Sequence, residues 1–104
     1  MTMIDANEQV PVCHTIFDAI RHNRLDAVKV FLIFGSTVDS RDTAGWTPLH
    51  HAAWHDRREI FSYLLSIGAD QDALSLSGEC PYLLALKSEA KNVLLLLGAL
   101  KKAA

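Results

Sequence analysis

Apolar side chains recur along the middle of the chain with the spacing of an amphipathic helix. Ile60–Phe61 and Leu64–Leu65 follow the pattern i, i+1, i+4, i+5, which places their side chains on one face of a helix. Gly68 comes directly after this run and can adopt the left-handed conformation that ends helices. The pattern therefore predicts a helix that buries one face and ends at a glycine.

A second helix start precedes this one. Gly45 suits a turn, the hydroxyl of Thr47 can cap a helix, and Pro48 stands at the first helical position, where its missing N–H costs nothing. Ala52–Ala53 are small enough for neighbouring helices to approach closely. The segment predicts a unit of turn, short helix, reversal, longer helix and turn.

The same features return when the chain is compared with itself at an offset of 33 residues. The turn Gly45–Pro48 aligns with Gly78–Pro81, and Gly35 aligns with Gly68. Three copies are visible, at about 9–40, 41–73 and 74–104, and a flexible tail is predicted over 1–8. One helix pair cannot bury its apolar face alone, so the copies must stack into a single domain over 9–104.

The middle copy resembles the ankyrin repeat. The residues that carry the resemblance are Asp42, Gly45, Thr47–His50, Ala52–Ala53, Leu64–Leu65 and Gly68–Asp70. The first copy keeps the helical core pattern and Gly35, and the third keeps Gly78, Pro81, Ala85 and Gly98–Ala99 but lacks about three residues before that glycine. The resemblance implies an all-α solenoid of three stacked helix-turn-helix units with short turns between them.

Several positions depart from the family pattern. Asn23 and Asp56 stand where the family usually has glycine between the helices, and both residue types tolerate the left-handed region, so the reversal should survive. Cys80 replaces the capping threonine of the third copy, which predicts a weaker helix start. Arg57–Arg58 follow Asp56 and precede Glu59, so their charges are expected to be locally balanced and solvated.

Charge and cysteine content narrow the function classes. The net charge of −2 gives no broad positive field for nucleic acid or anionic membranes. Met1–Val10 has neither the cationic nor the apolar region of a secretory signal, and the longest apolar run is too short to span a bilayer. Two cysteines, Cys13 and Cys80, fit free thiols in a reducing cytoplasm or nucleus. We expect a cytoplasmic or nuclear protein that binds neither nucleic acid nor membrane.

One pair of residues has metal-ligand spacing. His51 and His55, at i and i+4, share a helix face, but Ala52 stands where a zinc protease has glutamate, and no third ligand is indicated. A polar role between repeats is the favoured interpretation of these histidines. Cys13–His14 are neighbours only in sequence, and Cys80 is expected to pack. Because no acid, base and nucleophile set is present, we predict a protein that is not an enzyme and has no cofactor or metal.

The resemblance implies a protein-binding surface on the concave side, formed by the turn tips and the first helix of each copy. Trp46 and Trp54 occupy positions that the repeat does not need for its own packing, and tryptophan is enriched at the energetic centres of interfaces. The alternative is that either ring folds back and shields the neighbouring repeat. The predicted partner-binding residues are Arg41, Thr43, Ala44, Trp46, Trp54, His55, Leu74, Leu76, Ser77, Glu79, Lys87, Arg21 and His22.

These observations predict a non-catalytic module that binds a partner protein along the concave side, as an inhibitor or an adaptor. The rival hypothesis is a homodimer through the apolar C-terminal repeat. In that case Val93–Leu97, together with Leu74 and Leu76, would pack against a second copy. The structural alternative for Val93–Leu97 is that it folds under the preceding repeat.

Overall fold

The computed structural model describes the backbone of residues 15–103 and the side chains of residues 15–98, so the predicted tail over 1–8 lies outside it. The described range contains six helices and no strand. The helices are α1 (Ile16–Arg21), α2 (Leu25–Ile33), α3 (Pro48–Trp54), α4 (Arg58–Ser66), α5 (Pro81–Ser88) and α6 (Lys91–Ala103). The first helices α1, α3 and α5 pack in one row and the second helices α2, α4 and α6 in another. The predicted all-α stack of helix pairs is confirmed.

The 33-residue period is visible in the backbone conformation. Asn23, Asp56 and Glu89 turn the chain between the two helices of each pair with φ of 59°, 58° and 57°. Each is followed by an amide that donates to a carbonyl of the preceding helix. The left-handed conformation predicted for Asn23 and Asp56 is confirmed, and Glu89 repeats it in the third pair at a residue type that adopts it less readily.

The first helices start in the same way but with different caps. The hydroxyl of Thr15 accepts a hydrogen bond from the amide of Asp18 at 3.2 Å, and that of Thr47 accepts one from the amide of His50 at 3.4 Å. Cys80 occupies the same position in the third pair and makes no side-chain cap. The side-chain cap is thus missing at the start of α5, and the weaker start itself stays a prediction.

The apolar core lies between the two rows of helices. Its fully buried large side chains include Ile20, Val28, Leu49, Ile60, Phe61, Leu64, Leu84 and Val93. Within Val93–Leu97, Val93 and Leu97 are buried because the i, i+4 spacing points both into the core, and Leu95 is 71% exposed. The segment thus folds under the preceding repeat, as the structural alternative predicted, and Leu95 is its exposed side chain. Self-association through the C-terminal repeat stays a hypothesis.

The end of the third repeat differs from the end of the second. Gly68 has φ of +99° just beyond α4, whereas its sequence counterpart Gly98 lies inside α6, which continues to Ala103. The residues after Gly68 are Ala and Asp, and those after Gly98 are Ala, Leu and Lys, which favour helix. Over the described residues, no helix is both long enough and apolar enough to cross a membrane.

The reversals between paired helices hold neighbouring repeats together. The Arg57 guanidinium donates to the carbonyls of Ile20 and Arg21, at 3.2 and 2.6 Å. Asp56 accepts hydrogen bonds from the Val93 amide and the Asn92 side chain, at 3.0 and 2.9 Å. The expectation that Arg57 is solvated is wrong, because the unpaired carbonyls at the end of α1 attract its charge, whereas Arg58 is exposed as expected. Asp56 is attracted in the same way to an amide at the start of α6.

Candidate protein-binding surface

Two adjoining turns form the edge of the predicted binding surface. In the first turn the amide of Asp42 donates to the carbonyl of Trp46 at 3.0 Å, and in the second the amide of Ser75 donates to the carbonyl of Glu79 at 2.9 Å. The amide of Leu76 donates to the carbonyl of Ala44 at 3.1 Å and joins the two turns. We call the turns 41–46 and 74–79, together with α1, α3 and α5, the inner surface.

The side chain of Arg41 is part of this framework. Its guanidinium donates to the carbonyl of Gly45 at 2.9 Å and to that of Leu74 at 2.7 Å. It therefore ties the turn of the second repeat to the turn of the third. Arg41 was predicted as a partner-binding residue, and the structure gives it a role in positioning both turns.

The two tryptophans predicted as anchors touch each other. Their ring centroids lie 5.8 Å apart with an interplanar angle of 62°, an edge-to-face arrangement. Trp46 is half-buried, whereas Trp54 is 39% exposed. Trp46 packs against its neighbours, as the shielding interpretation predicted. Trp54 presents its surface to solvent, as the anchor interpretation requires.

His51 lies in the middle of an aromatic cluster that continues across two repeats. Its ring centroid is 4.8 Å from that of Phe17, 5.0 Å from that of Trp46 and 6.2 Å from that of His55. Its Nε2 donates to Asp42 at 2.8 Å. Burial lowers the pKa of His51 and outweighs the attraction of Asp42, so the neutral ring is favoured.

His50 links the second repeat to the third. Its Nδ1 accepts a hydrogen bond from the amide of Thr47 at 3.1 Å, so its Nε2 carries the proton and donates to the carbonyl of Glu79 at 2.7 Å. The ring is fully buried, and burial lowers its pKa. The neutral form is the one that can make both bonds. A polar role between repeats was expected of His51 and His55. The structure gives that role to His50, and the hydrogen bond of His51 stays within its own repeat.

The geometry of His51 and His55 does not suit a shared metal ion. The two rings are stacked, with an interplanar angle of only 14°, so their in-plane lone pairs do not converge on one point. In the part of the chain that the structure describes, no three potential metal ligands come together.

The remaining predicted residues lie on the surface or at its margin. Leu74 and Leu76 are 56% and 81% exposed, which is unusual for a turn. Lys87 pairs with Glu79, and its ammonium holds the pKa of that carboxyl below its usual value. The other exposed members are Arg21, His22, Thr43, Ala44 and Ser77, and His55 is half-buried.

Two groups of residues were missed by sequence reasoning. Phe17 was not singled out in the sequence, although its position in the repeat corresponds to His50 and so predicts a contact with the next repeat. Tyr82, Leu83 and Leu86 are all exposed on α5, whereas the residues at the same positions of α3 are fully buried. Comparing each of these residues with the residue 33 positions away would have pointed to both groups.

Comparison with known proteins agrees with this architecture. A family model described as ankyrin repeats in three copies matches residues 16–103. Human protein phosphatase 1 regulatory subunit 27 is 39% identical over 66 residues, which are 64% of this chain and 43% of that protein. A putative ankyrin repeat protein of Acanthamoeba polyphaga mimivirus is 38% identical over 72 residues, which are 69% of this chain and 10% of that protein.

A third relative is an enzyme in which the similar region is a small part. Human 2-5A-dependent ribonuclease is 35% identical over 73 residues, which are 69% of this chain and 10% of that protein. The matched region spans less than half of the regulatory subunit and a tenth of each of the two longer relatives. With a family model covering nearly all of the described residues, the chain belongs to the ankyrin repeat family.

Proposed function

We propose that this chain is a non-catalytic module that binds a partner protein through the inner surface, with Trp54 as the central contact. The observation that carries the proposal is the exposed Trp54 ring, held in one orientation by its edge-to-face contact with Trp46. A large aromatic side chain that is already ordered loses little conformational entropy on binding. Trp46 is then a positioning residue behind the anchor.

The neighbouring turn supports the same assignment. Leu74 and Leu76 add exposed apolar area next to polar residues such as Thr43 and Ser77. Interfaces commonly combine an apolar centre with a polar rim. The hydrogen bonds of Arg41 and of the Leu76 amide fix both turns, so the surface is formed before a partner arrives.

Ankyrin repeats generally mediate protein–protein interactions, and one relative is by name a phosphatase regulatory subunit. Both facts support a protein as the partner. A protein phosphatase 1 catalytic subunit is therefore a defined probe to include beside native lysate. A partner whose activity falls on binding would indicate an inhibitor, and one whose activity is unchanged an adaptor.

The experiment compares the purified chain with Trp54→Ala and with Ser66→Ala, an exposed position on α4 that serves as the matched control. Truncating a tryptophan at an interface centre costs about 2 kcal/mol or more, so affinity should fall by about 30-fold while the control binds like the parent. Equal affinity of all three proteins, each shown to be folded by circular dichroism, would rule out the anchor role of Trp54.

A further inference from the structure

The first helices of the three repeats carry a cation, a tryptophan and a cation at the same helical position. Arg21, Trp54 and Lys87 follow one another at intervals of 33 residues, in α1, α3 and α5, and all three are exposed. These helices are neighbours in one row, and packed helices lie about 8–10 Å apart. The three side chains therefore form a line across the inner surface, with a step of about that length.

Contacts with the two turns show that the side chains of Trp54 and Lys87 point the same way. Trp54 packs on Trp46 of the turn 41–46, and Lys87 pairs with Glu79 of the turn 74–79. Trp46 and Glu79 are themselves 33 residues apart, so both contacts occupy the same place in successive repeats. The aromatic pair of the second repeat is thus replaced by an ion pair in the third.

The acids of the inner surface lie deeper than the bases with which they pair. In the pair of Arg21 with Asp18 the side chains are 55% and 21% exposed, and in the pair of Lys87 with Glu79 they are 52% and 17% exposed. The carboxylate of Asp42 accepts hydrogen bonds from two amides of its own turn. A partner that approaches this surface meets the cations first, although the chain carries a net charge of −2.

Both cations can bind a further carboxylate. A guanidinium has five N–H donors and an ammonium has three, which is more than one carboxylate oxygen can accept. The surroundings of the tryptophan ring are also electropositive. Burial lowers the pKa of His55, the residue after Trp54, and the nearby positive charges of Arg57 and Arg21 lower it further. A negative group is therefore favoured on this part of the surface.

We infer that the partner segment bound at the inner surface is an acidic peptide whose central apolar side chain covers Trp54 and whose flanking carboxylates pair with Arg21 and Lys87. In the polyproline II conformation a chain repeats every three residues, or about 9 Å, so residues at i and i+3 point the same way. This repeat matches the step between the first helices, and it places each carboxylate three residues from the apolar side chain. The inference rests on the proposed function and adds the chemistry of the partner.

The test is isothermal titration calorimetry of the full chain with synthetic peptides blocked at both ends. The probe has phenylalanine in the centre, glutamate three residues to either side and serine elsewhere, and a second peptide has glutamine for both glutamates. The glutamate peptide should bind about fivefold or more tightly than the glutamine peptide, because it gains two exposed ion pairs. Raising the salt concentration should reduce this difference.

Charge-removing variants show where the glutamates bind. Arg21→Gln combined with Lys87→Gln should weaken the glutamate peptide by about the same factor and leave the glutamine peptide unchanged. The matched control is Arg58→Gln combined with Lys91→Gln, which removes the same two charge types from exposed positions on α4 and α6. This control should bind both peptides like the parent.

Three results would each overturn the inference: equal affinity for the glutamate and glutamine peptides, an equal loss in the two double variants, or no binding of the glutamate peptide up to about 1 millimolar. The peptide comparison uses the parent chain alone, so it remains decisive even if a variant fails to fold. The proposed function is judged separately, by Trp54→Ala with a whole partner protein. Loss of partner binding in that variant, with no preference between the peptides, would keep the proposed function and reject the acidic peptide.

Discussion

Trp46 and Trp54 lie edge to face with ring centroids 5.8 Å apart, so the turn before α3 and the end of that helix form one rigid surface. Trp46 also packs on His51, which in turn contacts Phe17 of the first repeat. The exposed ring is therefore supported by a chain of contacts that crosses the boundary between repeats.

Removing either tryptophan should lower the free energy of unfolding by an amount that depends on whether the other ring is present. Edge-to-face aromatic pairs contribute about 0.5–1.5 kcal/mol beyond the area they bury, so a double-mutant cycle with Trp46→Ala and Trp54→Ala should give a coupling free energy in that range. Trp46→Ala alone should destabilise more, because Trp46 is the more buried ring. The free energies of unfolding of the four proteins in urea measure both effects, and additive losses would show that the rings do not support each other.

Glycine at position 45 is required for two reasons, and glycine at 78 for only one. Both have positive φ, +79° and +81°, which strains any other residue. A Cβ at Gly45 would also meet the backbone nitrogen of Leu76 at 2.8 Å, whereas one at Gly78 would meet nothing within 4 Å. Gly45→Ala should therefore lower the free energy of unfolding by more than Gly78→Ala does, by an additional 1 kcal/mol or so. Equal losses would mean that the contact between the two turns is not tight.

Arg57 and Arg58 are adjacent but differ in what they contact. Arg57 donates to two carbonyls at the end of α1, and Arg58 is exposed. Hydrogen bonds from a charged group contribute about 1.5–3 kcal/mol, so Arg57→Ala should lose stability in that range and Arg58→Ala less than about 0.5 kcal/mol. Urea unfolding measures both, and similar small losses in the two variants would contradict the assigned role of Arg57.

Acidification should destabilise the fold near pH 6. Burial lowers the pKa values of His50, His51 and His55 below the ordinary 6.5, so the unfolded chain binds more protons than the folded chain just below that pH. The free energy of unfolding therefore keeps its full value above about pH 7. It falls as the pH drops through 6.5 toward the pKa values of the folded chain. The lowered pKa of Asp42 does not reverse this trend, because its contribution is lost only at lower pH.

Unfolding free energies at about pH 7.5, 6.5 and 5.5 test this dependence. The fall between the first and the last should be smaller in His51→Gln, which cannot take up a proton. It should be unchanged in Ser66→Ala, an exposed position on α4 whose side chain does not titrate in this range. Stability that stays constant or increases down to about pH 5.5 would contradict the assignment of neutral buried histidines.

The fold could be predicted because the residues that start, reverse and end each helix act on their immediate neighbours in the sequence. Thr47 and Pro48 define where α3 begins, Asn23 and Asp56 permit the reversals, and Gly68 follows the end of α4. These features repeat at a fixed spacing, so one clear copy identified two weaker ones. Gly98, which the third copy keeps, lies inside α6, because a glycine ends a helix only if the residues that follow favour a turn.

The roles of single polar residues could not be predicted in the same way. Arg41 was predicted to contact a partner, Arg57 to be solvated and Asp56 to permit the reversal. Each also bonds to a backbone group or side chain of a neighbouring repeat. Those partners lie 33 to 37 residues away in sequence, and which one a flexible side chain reaches depends on how the repeats are stacked. The exposure of Trp54 relative to Trp46 depends on the same packing.

Hydrogen exchange of the chain, free and saturated with a captured partner protein, tests the central claim most directly. If the inner surface binds the partner, amides of the turns 41–46 and 74–79 and of the C-terminal end of α3 around Trp54 should exchange more slowly in the complex. Protection confined to the outer helices α2 and α4, with these turns unchanged, would contradict the claim.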